Sequence, residues 1–245
     1  AQRALELMQE EFGNPSSLHR KGFLAEQALA AAREDLAAIL GPGVRREEIW
    51  FTSCGSEGNN LAVLGAAWAA QKRGNKVVTT AVEHESVLAP VKHLSENGFE
   101  TVLLPPTPQG NVDPQAVEEA VDQRTVLLSV MLVNSETGAV NDLLSIAQAA
   151  RRKNPKVVIH CDCVQGFGKL LVLPGLWGPP GQGVDVVTIS GHKIHAPKGI
   201  GALYVKKGTR LRPLYYGSGQ EGGFHPGTEN TPGACAFATA ARELW

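Results

Sequence analysis

Residues 184–190, VDVVTIS, form an apolar run that ends on Ser190 and passes at once into Gly191, His192 and Lys193. A small hydroxyl, an imidazole and an amine at the end of a strand suit anion binding and nucleophilic attack by the amine. A solvated loop that contains a lysine explains the same stretch, so the ends of the other apolar runs matter. IWFTS (49–53) is followed by Cys54, Gly55 and Ser56, and then by a helical pattern. KVVTTAV (76–82) is followed by Glu83 and His84, and TVLLSVMLV (125–133) by Asn134, Ser135 and Glu136. KVVIHC (156–161) is followed by Asp162 and, three residues on, by Gln165. Ligands of open α/β sheets sit beyond the carboxyl ends of the strands. Five strands therefore deliver polar or titratable groups to one rim.

Taken singly, each group has an ordinary use. Ser56 serves as a helix N-cap, His84 as a structural histidine, Asp162 as a turn residue or the partner of a cation. Gln165 serves as a helix residue and Lys193 as a solvated amine. Taken together, they meet the four needs of pyridoxal phosphate. Lys193 supplies the amine for a Schiff base, and Asp162 the carboxylate for the pyridinium nitrogen. Gly55 and Ser56 at a helix start, with Ser190 and His192, supply a phosphate cradle. His84 supplies the aromatic face that covers the ring.

The elements that must position these groups follow from periodicity. Helices are expected over 22–40, 59–74 (closed by Gly74), 85–97, 114–122 and 142–153, with Asp113 as N-cap and Pro114 at the first position of the fourth. Further helical patterns open the chain (1–11) and end it (ACAFATAARELW). The strands are the runs above, together with TVLLP (101–105) and IGALYVKK (200–207). The last is read as an antiparallel return, because too little chain precedes it for a helical crossover. Apolar strands alternating with helices predict an α/β fold: a mostly parallel, seven-stranded-type sheet with helices on both faces.

Composition narrows the function classes. The 245 residues are 43% hydrophobic, enough for one large core. Lys plus Arg number 23 and Asp plus Glu 24, with no long basic run, which argues against a nucleic-acid partner. No apolar stretch is long enough to span a membrane, and no signal-peptide pattern opens the chain. Cys54, Cys161, Cys163 and Cys235 form neither a CxxC pair nor a disulfide framework, and no metal-ligand set is read. A cytoplasmic protein with reduced thiols is expected. Both ends read as interrupted helices, which predicts a piece of a longer protein.

The segments FGNPSSLH, FTSCGSEGNN, VEHESV, VNSETG, HCDCVQGFGK, SGHKIHAPKGIGALYV and GSGQEGGFHPGTEN resemble, in this order, the NifS/IscS-like cysteine desulfurases. These belong to the fold-type I, class V aminotransferase group. The resemblance implies a homodimer that takes sulfur from L-cysteine, giving L-alanine and an enzyme persulfide for a sulfur-acceptor or iron–sulfur scaffold protein. It implies that Lys193 is the Schiff-base lysine and that His84 stacks on the ring and carries protons. It implies that Asp162 pairs with the ring nitrogen and Gln165 with the ring oxygen. Ser56, Ser190 and His192 hold the phosphate, Thr228 reaches the phosphate of the partner subunit, and Asn134 with Ser135 binds substrate. By this resemblance residues 1–12 are the remnant of an N-terminal segment and 13–245 the cofactor-binding large domain. A small C-terminal domain, which carries the persulfide cysteine and a substrate arginine, is absent.

Departures from the family pattern are Ser135 for a second Asn, Ser56 for Thr, Cys163 for Ala, Ala196 for a smaller residue and His225 for Arg. The last bears on local anion binding or loop anchoring. None of the four cysteines matches the family nucleophile, and all read as packing residues, with Cys163 a minor candidate for reactivity. Two rival readings share these motifs: a selenocysteine lyase, and a catalytically incompetent homologue acting as a scaffold in sulfur transfer.

Overall fold

Valine, isoleucine, leucine and threonine dominate seven short runs, and each becomes a strand because β-branched side chains pack well on a pleated surface. The computed structural model describes residues 1–10, 12–170 and 183–244. The strands are β1 (Ile49–Thr52), β2 (Lys76–Thr80), β3 (Glu100–Leu104), β4 (Thr125–Ser129), β5 (Val158–Asp162), β6 (Val186–Ser190) and β7 (Gly201–Val205). The helices are α1 (Gln2–Gln9), α2 (Arg20–Leu40), α3 (Gly55–Ala70), α4 (Glu85–Glu96), α5 (Pro114–Ala120), α6 (Leu143–Lys153) and α7 (Thr231–Leu244). Glu11 and Trp245, the outer residues of the two terminal helical patterns, lie outside the described residues.

The sheet has the order β1-β7-β6-β5-β4-β2-β3. The neighbours from β6 to β3 run parallel. β7 is antiparallel to both β6 and β1, as the short connection before it required. Successive strand residues feed opposite faces. Val78, Leu128, Ile159 and Val187 join the core under α2, α5, α6 and α7. Val77, Leu127, Val158 and Val186 join the core under α3 and α4. Both faces are thus covered, and the central strands are buried throughout. The connection from β2 through β3 returns to β4 on the other side of β2. That reversal opens a crevice at the carboxyl ends, where an open α/β sheet takes its ligand.

Three boundaries differ from the expectation by four residues, each for a local reason. α3 begins at Gly55 rather than at residue 59. Glu57 in its first turn accepts from the backbone N–H of Ser53 at 2.6 Å and from its hydroxyl at 2.7 Å, which anchors the early start. Gly74 does not close this helix; it lies where the backbone passes against Arg124, and an added Cβ would fall 2.1 Å from that carbonyl oxygen. β4 ends at Ser129, but the chain stays beside β5, with Val130 N–H donating to His160 O at 3.0 Å and Leu132 N–H to Asp162 O at 2.9 Å. Asp113 caps α5 as expected, accepting from the Gln115 N–H at 2.9 Å.

Candidate active site

The strand ends meet at a cavity of ≈ 440 Å³ lined by residues that end or follow β1, β2, β4, β5 and β6. Asp162, the last residue of β5, is buried at its floor. Both of its oxygens hold a donor: Oδ1 the backbone N–H of Val164 at 2.9 Å, Oδ2 the Asn59 amide at 2.7 Å. Burial nevertheless pushes this carboxyl above its ordinary value, and the two hydrogen bonds and nearby His84 pull it back in part.

Lys193 lines the same cavity and is half-buried. It sits in a short 3-10 turn, Gly191–Ile194, that follows β6 directly. The turn closes because Gly191 donates to Ile200 O at 3.0 Å and Ala196 donates back to Gly191 O at 3.1 Å. His195 then takes a left-handed conformation, with φ of 66°. An added Cβ at Gly191 would lie 2.9 Å from Ile200 Cγ2 and 3.1 Å from Ala196 Cβ, so this position needs its glycine. Ser190 bonds His192 Nδ1 at 3.0 Å. Burial, then the charges of Lys193 and Lys198, push the His192 imidazole below its ordinary value, which favours the neutral ring.

Gly55 and Ser56 form the first turn of α3, where backbone N–H groups have no partner within the helix. Ser56 is a residue of that turn; the cap position is Cys54, whose side chain caps nothing. An added Cβ at Gly55 would lie 2.8 Å from Val164 Cγ2 and 3.3 Å from Ser190 Cβ. The close approach of α3 to the ends of β5 and β6 thus depends on the missing side chain.

His84 is the N-cap of α4, and its Nδ1 accepts from the Ser86 N–H at 3.1 Å. Nδ1 is therefore the acceptor nitrogen, and the proton of the neutral ring lies on Nε2. Ser86 Oγ lies 2.8 Å from the same Nδ1 and accepts from the Asn59 amide at 2.8 Å. A hydrogen-bond chain thus runs from Asp162 through Asn59 and Ser86 to His84.

Gln165 lines the cavity, and its Oε1 accepts from Lys169 at 2.7 Å, which leaves its amide hydrogens to act as donors. Ser135 is exposed on the cavity wall. Asn134 is not among the lining residues. Its amide donates to Val82 O at 2.9 Å, and its Oδ1 accepts from the N–H groups of Glu136 and Thr137, each at 2.9 Å. It builds the turn that presents Ser135. Thr228 is exposed on the loop before α7 and does not line the cavity. Cys161, Cys163 and Cys235 are buried, but Cys54 reaches the cavity wall, which corrects its reading as a packing residue. Among the described residues, no helix is long and apolar enough to cross a membrane.

A model of the aminotransferase class-V family matches residues 1–244. The chain belongs to this family. Family members generally depend on pyridoxal phosphate. Curated relatives include a NifS/IcsS protein homolog of Lactobacillus delbrueckii subsp. bulgaricus, 42% identical over 234 residues, which are 95% of this chain and 59% of that protein. Cysteine desulfurase IscS of Dictyoglomus turgidum is 38% identical over 233 residues, 95% of this chain and 57% of that one. Among solved structures, a NifS-like protein superposes with a TM-score of 0.91 at 36% identity, over 99% of this chain and 65% of its own. SspA in complex with cysteine gives 0.89 at 34% identity, over 98% and 67%. The chain spans under two thirds of the length of the curated relatives it matches.

The class-V cofactor fits the residues present. The Gly55 cradle, the α3 N-terminus, the Ser190 and His192 donors, the buried Asp162 and the Lys193 amine border one cavity. Sequence reasoning missed Asn59 and Ser86. The only available signal was geometric: with α3 starting at Gly55, Asn59 falls one turn along and faces the same strand ends as Gly55.

Proposed function

We propose that this chain supplies the cofactor chemistry of a pyridoxal-phosphate-dependent cysteine desulfurase, which converts L-cysteine to L-alanine and passes the sulfur to an enzyme cysteine outside this chain. One observation carries the reading: the Lys193 amine and the buried Asp162 carboxylate border the same cavity, whose wall includes the start of α3. Lys193 would hold the cofactor through its aldehyde carbon, Asp162 its ring nitrogen and Gln165 its ring oxygen. The first turn of α3, Ser56, Ser190 and His192 would hold its phosphate. When bound, pyridoxal phosphate supplies an electron sink for the bonds at the substrate Cα.

The chain's own groups do the rest. Nζ of Lys193 takes the proton from the substrate Cα and returns one to the product. His84 exchanges a proton at Nε2, while Ser86 keeps its other nitrogen occupied. Asn59 holds Asp162 in place with one amide hydrogen and Ser86 with the other. Ser135 meets the substrate carboxylate where relatives offer a longer amide. The parent protein acts as a homodimer, hands its sulfur to an acceptor or iron–sulfur scaffold protein, and works in the cytoplasm.

The test is direct. Chain incubated with pyridoxal phosphate should turn yellow and retain the label after borohydride reduction, and Lys193→Ala should abolish both. The full-length protein should release alanine from L-cysteine, whereas this chain alone should not. Normal turnover by the chain alone would overturn the assignment of the sulfur acceptor to a missing segment. Labelling that survives in Lys193→Ala would overturn the site.

A further inference from the structure

Beside the cavity lies a carboxyl group that the chemistry above leaves unused. Glu83 follows β2 and is 5% exposed. Its Oε1 accepts from Thr80 Oγ1 and from the Met131 backbone N–H, each at 2.9 Å. Its Oε2 is buried and has no hydrogen-bond partner among the described residues. The charges that act on it come from β5: Asp162 opposes ionisation, and the Cys161 thiol lies within electrostatic reach. From the start of α4, the charge of His84 acts on Asp162. From α3, Asn59 has spent both amide hydrogens on Asp162 and Ser86, and its Oδ1 is a second buried oxygen without a donor. The corner is short of donors and holds two carboxyl groups.

A proton removes one charge and adds one donor, and the hydrogen bonds say which carboxyl takes it. Asp162 has a donor on each oxygen, the pattern of an ionised acceptor. Glu83 has donors on Oε1 alone. We propose that Glu83 is a positioning residue that carries a proton on Oε2 at neutral pH, leaving Asp162 as the one negative charge at the cavity floor. Burial pushes the Glu83 carboxyl up to about 8, in agreement. A neutral Glu83 keeps Asp162 committed to Asn59 and to whatever cation the cavity receives. The effect on a bound ring rests on the pyridoxal-phosphate reading; the protonation does not.

The first measurement therefore uses the chain without cofactor. Thermal unfolding of wild type and Glu83→Gln is followed from about pH 5 to about pH 9. The carboxyl ionises near 4.5 when unfolded and at about 8 when folded. Its stabilising contribution is thus fully present below the first value and is lost as the pH rises through the second. Gln keeps the acceptor and places an N–H donor at the Oε2 position without titrating. The Tm of the variant minus that of wild type should rise by several degrees across this range, and a difference independent of pH would overturn the proposal. Should the variant not fold, infrared spectra of wild-type chain with 13C-labelled glutamate read the same proton. A protonated glutamate band at neutral pH, lost as the pH rises through about 8, supports the assignment, and its absence at neutral pH overturns it. In the cofactor-loaded protein, a neutral Glu83 carries the same charge as Gln, so the midpoint of the cofactor's visible titration should be the same in wild type and Glu83→Gln wherever it falls well below about 8. A midpoint about half a pH unit higher in wild type would show an ionised Glu83 and overturn the proposal.

Discussion

The side chain that ties the site together is Asn59, because its two amide hydrogens serve the buried Asp162 and, through Ser86, His84. Removing it strips a donor from buried Asp162 and loosens His84 at once. Asn59→Ala should therefore weaken pyridoxal-phosphate binding by about tenfold, near 1.4 kcal/mol, measured by titrating the visible absorbance of the chain with cofactor. Unchanged affinity would show that Asp162 needs no such support. At this scale the sequence was informative where a polar residue directly closes an apolar strand, as with Asp162 and Ser190. It was uninformative where a partner comes from within a helix. Asn59 sits in GSEGNN, and its neighbouring polar residues read as the opening of a helix that in fact begins at Gly55. Asn134 shows the opposite case: it closes an apolar run, yet its hydrogen bonds to Val82, Glu136 and Thr137 turn it inward to shape a loop. The residue type and position were visible, but the direction of the side chain was not.

Among the elements, the turn after β5 carries Gln165 and is clamped from the far side by α7. Phe167 in that turn packs edge-on against Phe237 of α7, with ring centroids 6.0 Å apart, and both rings are buried. Phe237→Ala leaves a void there and should cost about 3–5 kcal/mol, read as a lower midpoint in urea unfolding. Because the void lies under the Gln165 turn, cofactor affinity should fall with it, and stability lost with affinity intact would show that the turn holds without its clamp. The central strands were legible because double-sided burial leaves them apolar on both faces, and α5 because Asp113 and Pro114 mark its start chemically. The start of α3 was not legible. Its Cys54 cap position offers no capping hydrogen bond, and the stabilising Glu57 acts backward on Ser53.

At the level of the whole molecule, the loop from Gly217 to Asn230 is pinned at two points and leaves Thr228 outward. Glu221 holds both guanidinium nitrogens of Arg33 and the Phe51 N–H, and His225 lies 2.7 Å from Glu57 at the start of α3. In this chain His225 thus anchors the loop to the turn that presents Gly55 and Ser56. If Thr228 completes a partner's site, mixing two inactive full-length variants, Lys193→Ala and Thr228→Ala, should restore about a quarter of wild-type activity through heterodimers. No recovery on mixing would confine Thr228 to its own subunit. The strand order carries a consequence for how the chain comes to be. Among the described residues β1 lies at the sheet margin with β7 as its sole neighbour, so Ile49 waits for Tyr204. Contacts so distant along the chain form late, after much loop entropy has been lost. During ribosomal synthesis the segment that leads into Gly55 and Ser56 emerges well before β7, so it gains its sheet neighbour only after Lys193 has been made. Assembly of the Gly55–Ser56 turn is therefore timed by the same stretch of synthesis that delivers Lys193, and a nascent chain halted earlier displays an unpaired β1 for chaperones to shield.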